Sequence, residues 1–205
     1  MNRITRALAL AAATVLGGAV LAGCGSSTPD TQPAQSVPAS QVAVADGSEA
    51  DVAFAQLMIP HHAQAVEMAD LALQQGTSPD VLSLASQIKA AQGPEIEQMR
   101  GWLGAWGAPE QMDGAEGDDH GDMDMGGMNA SGMMTDEDMN SLMNASGEEF
   151  DRMWLQMMIT HHQGAIQMAE QVLADSTNPD VIALADAVVA GQTAEIDAMQ
   201  QLLAN

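Results

Sequence analysis

The chain has 205 residues, of which 28 are acidic and only five are lysine or arginine, so its formal net charge is −23 at pH 7. This charge disfavours binding to nucleic acid and to anionic lipid surfaces, because both are themselves negatively charged. Cations are the natural partners of such an electrostatic field. With one cysteine in the whole chain, an internal disulfide is excluded.

The N-terminus has the features of a secretory signal. Two arginines precede an apolar run over 7–20, which is too short to span a membrane. The run ends in Leu-Ala-Gly-Cys at 21–24, which resembles the bacterial lipobox, whose cysteine is lipidated after cleavage. We therefore predict a lipoprotein signal peptide over 1–23 and a lipid anchor on Cys24, which places the protein outside the cytoplasm on the bacterial membrane or envelope. The alternative is an ordinary signal peptide with a chance cysteine.

The segment 24–47 follows the signal and is rich in Ser, Pro, Gln, Ala and Thr. Such a composition buries too little apolar surface to fold and is typical of a disordered tether. We expect it to hold the folded part of the chain away from the membrane.

The rest of the chain favours helices. Tyrosine is absent, Phe and Trp are few, and Ala, Leu, Met, Gln and Glu dominate. Helix start and stop signals divide this part into two helical hairpins, repeat 1 over 48–103 and repeat 2 over 146–205. The predicted helices cover 49–75, 79–103, 147–174 and 179–203. The expected fold is therefore an all-α four-helix bundle built from two α-hairpins.

The helix starts follow the same pattern in both hairpins. Ser48 with Asp51 and Ser146 with Glu149 are each spaced as a capping box for the first helix. The second helix of each hairpin begins with proline at its first position and an acid in its first turn, at Pro79 and Pro179. Gly76 is placed to end the first helix.

The two hairpins are copies of one repeat. Residues 58–69 read MIPHHAQAVEMA, and residues 158–169 read MITHHQGAIQMA, so a histidine pair recurs at an offset of 100. A unit of about 55–60 residues is too small to bury much core alone. We therefore expect the two copies to pack together.

The helical periodicity turns the histidines inward. At 100° per residue, one face of the first helix carries an apolar stripe, and Glu67 lies on the opposite side. The stripe consists of Phe54, Met58, His61, His62, Ala65, Ala69, Ala72 and Leu73. In the second helix of each copy, a glutamine and a glutamate lie within the apolar stripe, at about the level of the histidines; they are Gln92, Glu95, Gln192 and Glu195.

A layer of this composition predicts a metal site. A carboxylate on an apolar face is costly unless it is paired, protonated or bound to a cation. The candidate ligands are His61, His62, His161 and His162, with Glu95 and Glu195 as ligands or hydrogen-bond partners, and Met58 and Met158 as soft donors one turn away. The alternative is a buried polar layer without metal, in which the imidazoles bond to Glu and Gln.

The connection over 104–145 has a different composition, rich in Met, Asp and Gly, with a short helix from about Thr135 to Met143. Methionines in a segment without an apolar helical face are hard to explain by packing. Thioethers prefer Cu(I), and histidine with acids suits Cu(II). The candidate ligands here are His120, Met123, Met125 and Met128, and the alternative is a low-complexity linker.

Three patterns carry a family resemblance: the paired histidines, the A-x-x-M-A sequence after each pair, and Q-x-x-E-I-x-x-M in each second helix, at 92–99 and 192–199. Over 48–205 the chain resembles the bacterial family called domain of unknown function 305. The resemblance implies a ferritin-like four-helix fold of two α-hairpin repeats, usually in secreted proteins. It also implies copper binding or copper resistance, which are associated with some members.

Three functions compete at this point. The first is a copper-binding lipoprotein that sequesters or passes on Cu(I) or Cu(II). The second is a ferritin-like di-iron or di-manganese oxidase, which is less favoured because such enzymes use Glu-x-x-His on two helices, whereas Glu95 and Glu195 are followed at that spacing by Gln98 and Ala198. The third is an envelope adapter protein without metal. No nucleophile arrangement or phosphate loop indicates an enzyme, and no pattern identifies a protein partner.

Overall fold

The structure is a computed structural model that describes residues 47–111 and 132–204. Within these two ranges the chain forms five α-helices and no strands. The helices are α1 Glu49–Gln75, α2 Pro79–Trp106, α3 Asp136–Asn144, α4 Gly147–Asp175 and α5 Pro179–Ala204. None of them is long and apolar enough to cross a membrane.

Two antiparallel hairpins make up the bundle. α1 packs along α2, α4 packs along α5, and α1 also packs against α4, whereas α2 and α5 approach each other only lightly. The prediction of an all-α bundle made of two paired hairpins is therefore confirmed. α2 runs to Trp106, three residues beyond the helix expected from the sequence, and ends at Gly107 in the left-handed conformation, with φ of 68°.

Most of the predicted helix starts are present. Ser48 and Asp51 form a capping box at α1, and Thr135 and Asp138 form another at α3. At α4 the capping box was predicted wrongly, because the Ser146 side chain makes no capping hydrogen bond. The residue after it, Gly147, adopts φ of 61°, so the chain enters this helix by a turn that the pattern did not anticipate.

The buried aspartates at equivalent positions of α1 and α4 join each repeat to the turn of the other. Asp151 accepts hydrogen bonds from the backbone N–H of Thr77 at 3.0 Å, from the Thr77 hydroxyl at 2.6 Å and from the N–H of Ser78 at 2.8 Å. Asp51 accepts one from the hydroxyl of Ser176. The helix-connecting turns are thus held by carboxylates from the opposite hairpin, which fixes how the hairpins pack.

The core consists of two apolar clusters, and each of them draws residues from both hairpins. Trp154 in α4 is fully buried, and its indole N–H donates to the carbonyl of Met68 in α1 at 2.8 Å. Met58 and Met158 are also fully buried, one in each cluster. Leu73, which the periodicity placed inward, is 40% exposed because it lies near the end of α1.

Candidate metal centre

All four histidines of the two pairs are buried in the middle of the bundle. His61 and His62 lie on α1, His161 and His162 lie on α4, and none is more than 1% exposed. Their burial follows from the helical stripe, since each pair is flanked by apolar positions one turn before and after. Both repeats therefore contribute imidazoles to a single central layer.

The two repeats meet at a pair of imidazole rings. The rings of His61 and His161 have centroids 3.8 Å apart and planes inclined by 36°. The neighbouring rings of His61 and His62 are 6.5 Å apart. The closest imidazole contact thus joins the two hairpins, and the layer belongs to both.

Each second histidine is paired with the glutamate of its own hairpin. His62 Nε2 lies 2.7 Å from Glu95 Oε2, and His162 Nε2 lies 2.7 Å from Glu195 Oε2. Because a carboxylate only accepts hydrogen bonds, a neutral imidazole in this pair carries its proton on Nε2 and has its lone pair on Nδ1. The Nδ1 atoms of both histidines are buried and have no hydrogen-bond partner among the described residues.

His161 has no such carboxylate partner in the part of the chain that the structure describes. Burial holds its pKa well below the ordinary value, and the electrostatic influence of the three neighbouring imidazoles lowers this pKa further. The ring is therefore neutral at neutral pH. Neither of its nitrogens has a hydrogen-bond partner among the described residues, an arrangement that costs free energy unless another group supplies the missing interaction.

Two glutamines of the second helices, Gln92 and Gln192, are buried near the layer. The amide oxygen of each lacks a hydrogen-bond partner in the described part of the chain. The sequence placed them at the level of the histidines, and the contacts made by Glu95 and Glu195, one turn further along, agree with that placement. No three His, Cys, Asp or Glu side chains among the described residues form a ready-made metal cluster.

A short strap, residues 132–134, crosses α1 and α4 beside the histidines. Met134 donates its N–H to the Gln64 amide oxygen, and the Gln64 amide donates to the Met134 carbonyl, both at 2.8 Å. At the other end Gly132, with φ of 74°, lies so close to α4 that an added Cβ would stand 2.4 Å from the Thr160 carbonyl and 3.2 Å from Gly164. The strap thereby fixes the chain that leaves the methionine-rich connection.

The sequence interpretation missed this strap. Its two anchors, Gln64 and Gly164, occupy equivalent positions of the two repeats. Gln64 forms hydrogen bonds with Met134, whereas Gly164 has no side chain and so allows Gly132 to approach α4 closely. The difference between glutamine and glycine at this position of the two copies was the sequence signal that could have revealed the strap. The remaining predicted ligands, His120, Met123, Met125 and Met128, lie outside the described residues, as do Cys24, the signal peptide and nearly all of the tether.

Fold and site together define an all-helical, two-hairpin protein with a buried layer of paired histidines. The family model described as Domain of unknown function (DUF305) matches residues 51–203. The chain therefore belongs to the DUF305 family. No curated protein matches the chain closely enough to count as a relative.

Several solved structures are similar to this chain. A DUF305 fragment from Deinococcus radiodurans is 31% identical, with a TM-score of 0.67 over 77% of this chain and 97% of the other. A DUF305 protein from Streptomyces coelicolor, whose name assigns it provisionally to secreted proteins, is 34% identical with the same TM-score of 0.67 over 78% and 94%. CopM in its Cu(I)-bound form is 30% identical, with a TM-score of 0.60 over 74% and 94%. CopM has also been solved with Cu(II) and with silver.

Proposed function

We propose that this protein binds copper outside the cytoplasm and serves in copper sequestration or tolerance rather than in catalysis. The observation that carries the proposal is the set of buried imidazole nitrogens, on His62, His161 and His162, that have no hydrogen-bond partner within 47–111 and 132–204. Buried polar atoms in folded proteins are nearly always satisfied. A bound metal ion would satisfy these nitrogens, and neutral imidazole is the form that binds metal.

The glutamates prepare two of these histidines for a metal. A histidine ligand commonly donates its other ring N–H to a carboxylate, which fixes the tautomer and makes the free nitrogen more basic. The His62–Glu95 and His162–Glu195 pairs have this arrangement. Glu95 and Glu195 accordingly act by holding the imidazoles, and Nδ1 of each histidine is the donor atom.

Two observations favour copper over other metals: the types of donor atom near the histidines and the metals bound by a similar protein of known structure. Imidazole suits several transition metals, whereas thioethers favour Cu(I), and the buried Met58 and Met158 lie one turn from the histidine pairs. CopM, which resembles this chain in sequence and fold, has been solved with Cu(I) and Cu(II). A di-iron or di-manganese oxidase centre fits less well, because Glu95 and Glu195 are two inward carboxylates among the described residues and such a centre needs several more. An adapter without metal would leave the orphaned nitrogens unexplained.

A competition titration of tag-free protein tests this function. Cu(I) is titrated against a chromophoric chelator, with the wild type compared with a variant in which His61, His62, His161 and His162 are all asparagine. We expect the high-affinity copper to be lost while circular dichroism shows the helices retained. If this variant does not fold, the pair His62→Asn and His162→Asn is used instead. Equal stoichiometry and affinity in wild type and variant would refute the proposal.

We further propose that the methionine-rich connection captures copper before the bundle does. His120, Met123, Met125 and Met128 supply soft and borderline donors. The strap follows them in the sequence, and its Met134 is hydrogen-bonded to Gln64, two residues from His62. Changing the three methionines to leucine keeps their bulk and removes the thioethers. The number of Cu(I) ions bound should fall with little change in thermal stability, and an unchanged number would reduce the segment to a linker.

The membrane anchor is a separate proposal that depends on Cys24 and the lipobox-like residues before it. Lipidation would keep the protein at the membrane surface. Cys24→Ser should release the protein from the membrane fraction or leave its precursor uncleaved. Unchanged fractionation together with unchanged processing would exclude a lipid anchor.

A further inference from the structure

A small cavity lies between α2 and α5, on the side of the layer away from the strap. Its volume is about 40 Å³, which is enough for one water molecule or one ion. The residues around it are Ala91, Gln92, Glu95, Ala187, Val188, Gly191, Gln192 and Glu195. They come from equivalent parts of both repeats, so the cavity, here called the seam, lies where the two second helices face each other.

The seam is accessible because small residues line it. Ala91 and Gly191 occupy equivalent positions and are exposed. An added Cβ on Gly191 would meet no atom within 4 Å. The carboxylates of Glu95 and Glu195 are about one-fifth exposed, at 23% and 21%. Solvent therefore reaches the carboxylates of Glu95 and Glu195, which also hold His62 and His162 by hydrogen bonds.

Four oxygen atoms remain available in the seam. Glu95 and Glu195 each use Oε2 for a histidine, which leaves Oε1 of each without a hydrogen bond to a described residue. Gln92 and Gln192, which are 3% and 4% exposed, each contribute a buried amide oxygen without a hydrogen-bond partner among the described residues. Two buried amides in this state are costly, and their oxygens need a donor or a cation.

We propose that the seam binds one oxygen-preferring divalent cation, of the Ca²⁺ or Mn²⁺ type, through Glu95, Glu195, Gln92 and Gln192. Carboxylate and amide oxygens are the donors that hard divalent cations select, with water completing the coordination. The two carboxylate charges balance the charge of the ion. The described residues that line the seam supply no thioether and no imidazole nitrogen, so Cu(I) is not the ion that this site selects.

The seam and the histidine layer are distinct sites. They are joined by two hydrogen bonds, His62–Glu95 and His162–Glu195, whose carboxylates line the seam and whose imidazoles belong to the layer. Each pair uses Oε2 of the carboxylate and Nε2 of the imidazole, so Oε1 is left for the seam that the glutamates line and the lone pair of Nδ1 is left for the layer. The seam ion requires no copper, so this inference goes beyond the proposed function and can succeed or fail independently of it.

Two variants test the seam without altering the carboxylate–imidazole pairs. The first, Gln92→Leu with Gln192→Leu, removes both amides at similar side-chain size. The second, Gly191→Leu, keeps all four oxygens and adds a bulky apolar side chain at an exposed position that lines the seam. The matched control is Gln98→Leu with Gln200→Leu, which removes two exposed glutamines from the same two helices.

Mn²⁺ is the probe, titrated into copper-free, tag-free protein at 0.15 M salt and followed by electron paramagnetic resonance. The wild type, the control and the two seam variants share the same weak Mn²⁺ binding to the acidic surface, so differences between their titration curves report the seam alone. We expect the wild type and the control to share one tighter site whose affinity falls roughly tenfold or more in both seam variants. Cu(I) affinity should be the same in all four proteins.

Identical Mn²⁺ binding in the wild type and in both seam variants would overturn the seam site and leave the copper proposal untouched. Loss of the site in the control as well would overturn it too, because the exposed glutamines do not line the cavity. If one seam variant is misfolded by circular dichroism, the other decides the question alone.

Discussion

The imidazoles of His61 and His161 lie with their ring centroids 3.8 Å apart, although the two residues belong to different repeats. Neither hairpin can form this contact alone. The histidine pairs therefore constitute one central layer shared by both repeats, and any ion bound there would draw its donors from α1 and α4 together.

The first prediction concerns the aspartates that join the hairpins. Asp151→Ala would leave the N–H groups of Thr77 and Ser78 without their acceptor. We expect the free energy of unfolding to fall by about 3 kcal/mol, measured by urea denaturation. The control, Asp186→Ala, removes an exposed acid from α5 and should change the stability by no more than about 0.5 kcal/mol. Equal effects of the two substitutions would mean that Asp151 does not hold the turn.

The second prediction concerns the strap. Gly132→Ala imposes a left-handed backbone on a residue with a Cβ and also brings that Cβ against the Thr160 carbonyl. Gly147→Ala is the matched control, because Gly147 has a similar φ of 61° but no atom within 4 Å of an added Cβ. The control should lower the free energy of unfolding by about 1–2 kcal/mol because of backbone strain. Gly132→Ala should in addition release the strap from α4. Hydrogen exchange at the Met134 amide measures this release and should be faster in Gly132→Ala than in Gly147→Ala. Equal exchange in the two variants would argue against a close contact between Gly132 and α4.

The third prediction is a pH dependence of stability from His161. Its pKa in the folded protein lies well below the ordinary value because the ring is buried. Below about pH 6.5 the unfolded chain binds a proton at this residue and the folded chain does not, so acid favours unfolding. The free energy of unfolding of copper-free protein should therefore decrease from pH 7 toward pH 5, by at most about 1.4 kcal/mol per pH unit from this group.

His161→Asn supplies the comparison for that measurement, since asparagine does not titrate. The variant should lose less stability than the wild type between pH 7 and pH 5, and the two should show parallel behaviour above pH 7. Parallel curves over the whole range would show that His161 is protonated as readily in the folded protein as in the unfolded chain.

The fourth prediction separates the role of the glutamates from that of the histidines. Glu95→Gln with Glu195→Gln keeps the side-chain size but replaces the carboxylates that fix the imidazole tautomer. Cu(I) affinity should fall by about 10- to 100-fold, as is typical when such a partner is lost, while the stoichiometry stays the same. A competition titration measures both quantities. Lower stoichiometry instead would make the glutamates direct ligands of copper.

Much of the fold could be predicted because it depends on local signals. Capping boxes such as Ser48 with Asp51, the prolines at helix starts and the 3.6-residue periodicity act within a single helix, and the helices lie where these signals place them. The inward orientation of the histidines and their level relative to Glu95 followed from the same periodicity.

The remaining features depend on contacts between distant segments, which no local pattern records. Asp51 and Asp151 align in the sequence, but their role at the opposite turn appears only after the hairpins pack. The contact of Gly132 with Gly164 likewise joins two segments that are distant in the sequence. The Ser146 capping box failed because Gly147 takes a left-handed conformation that a residue preference alone does not specify.

Copper-edge X-ray absorption of protein loaded with one Cu(I) per chain tests the central claim most directly. We expect imidazole nitrogen scattering around the first copper bound, and its loss when His61, His62, His161 and His162 are all replaced by asparagine. A copper environment made only of sulfur in the wild type, or the same spectrum in wild type and variant, would contradict copper binding by the histidine layer.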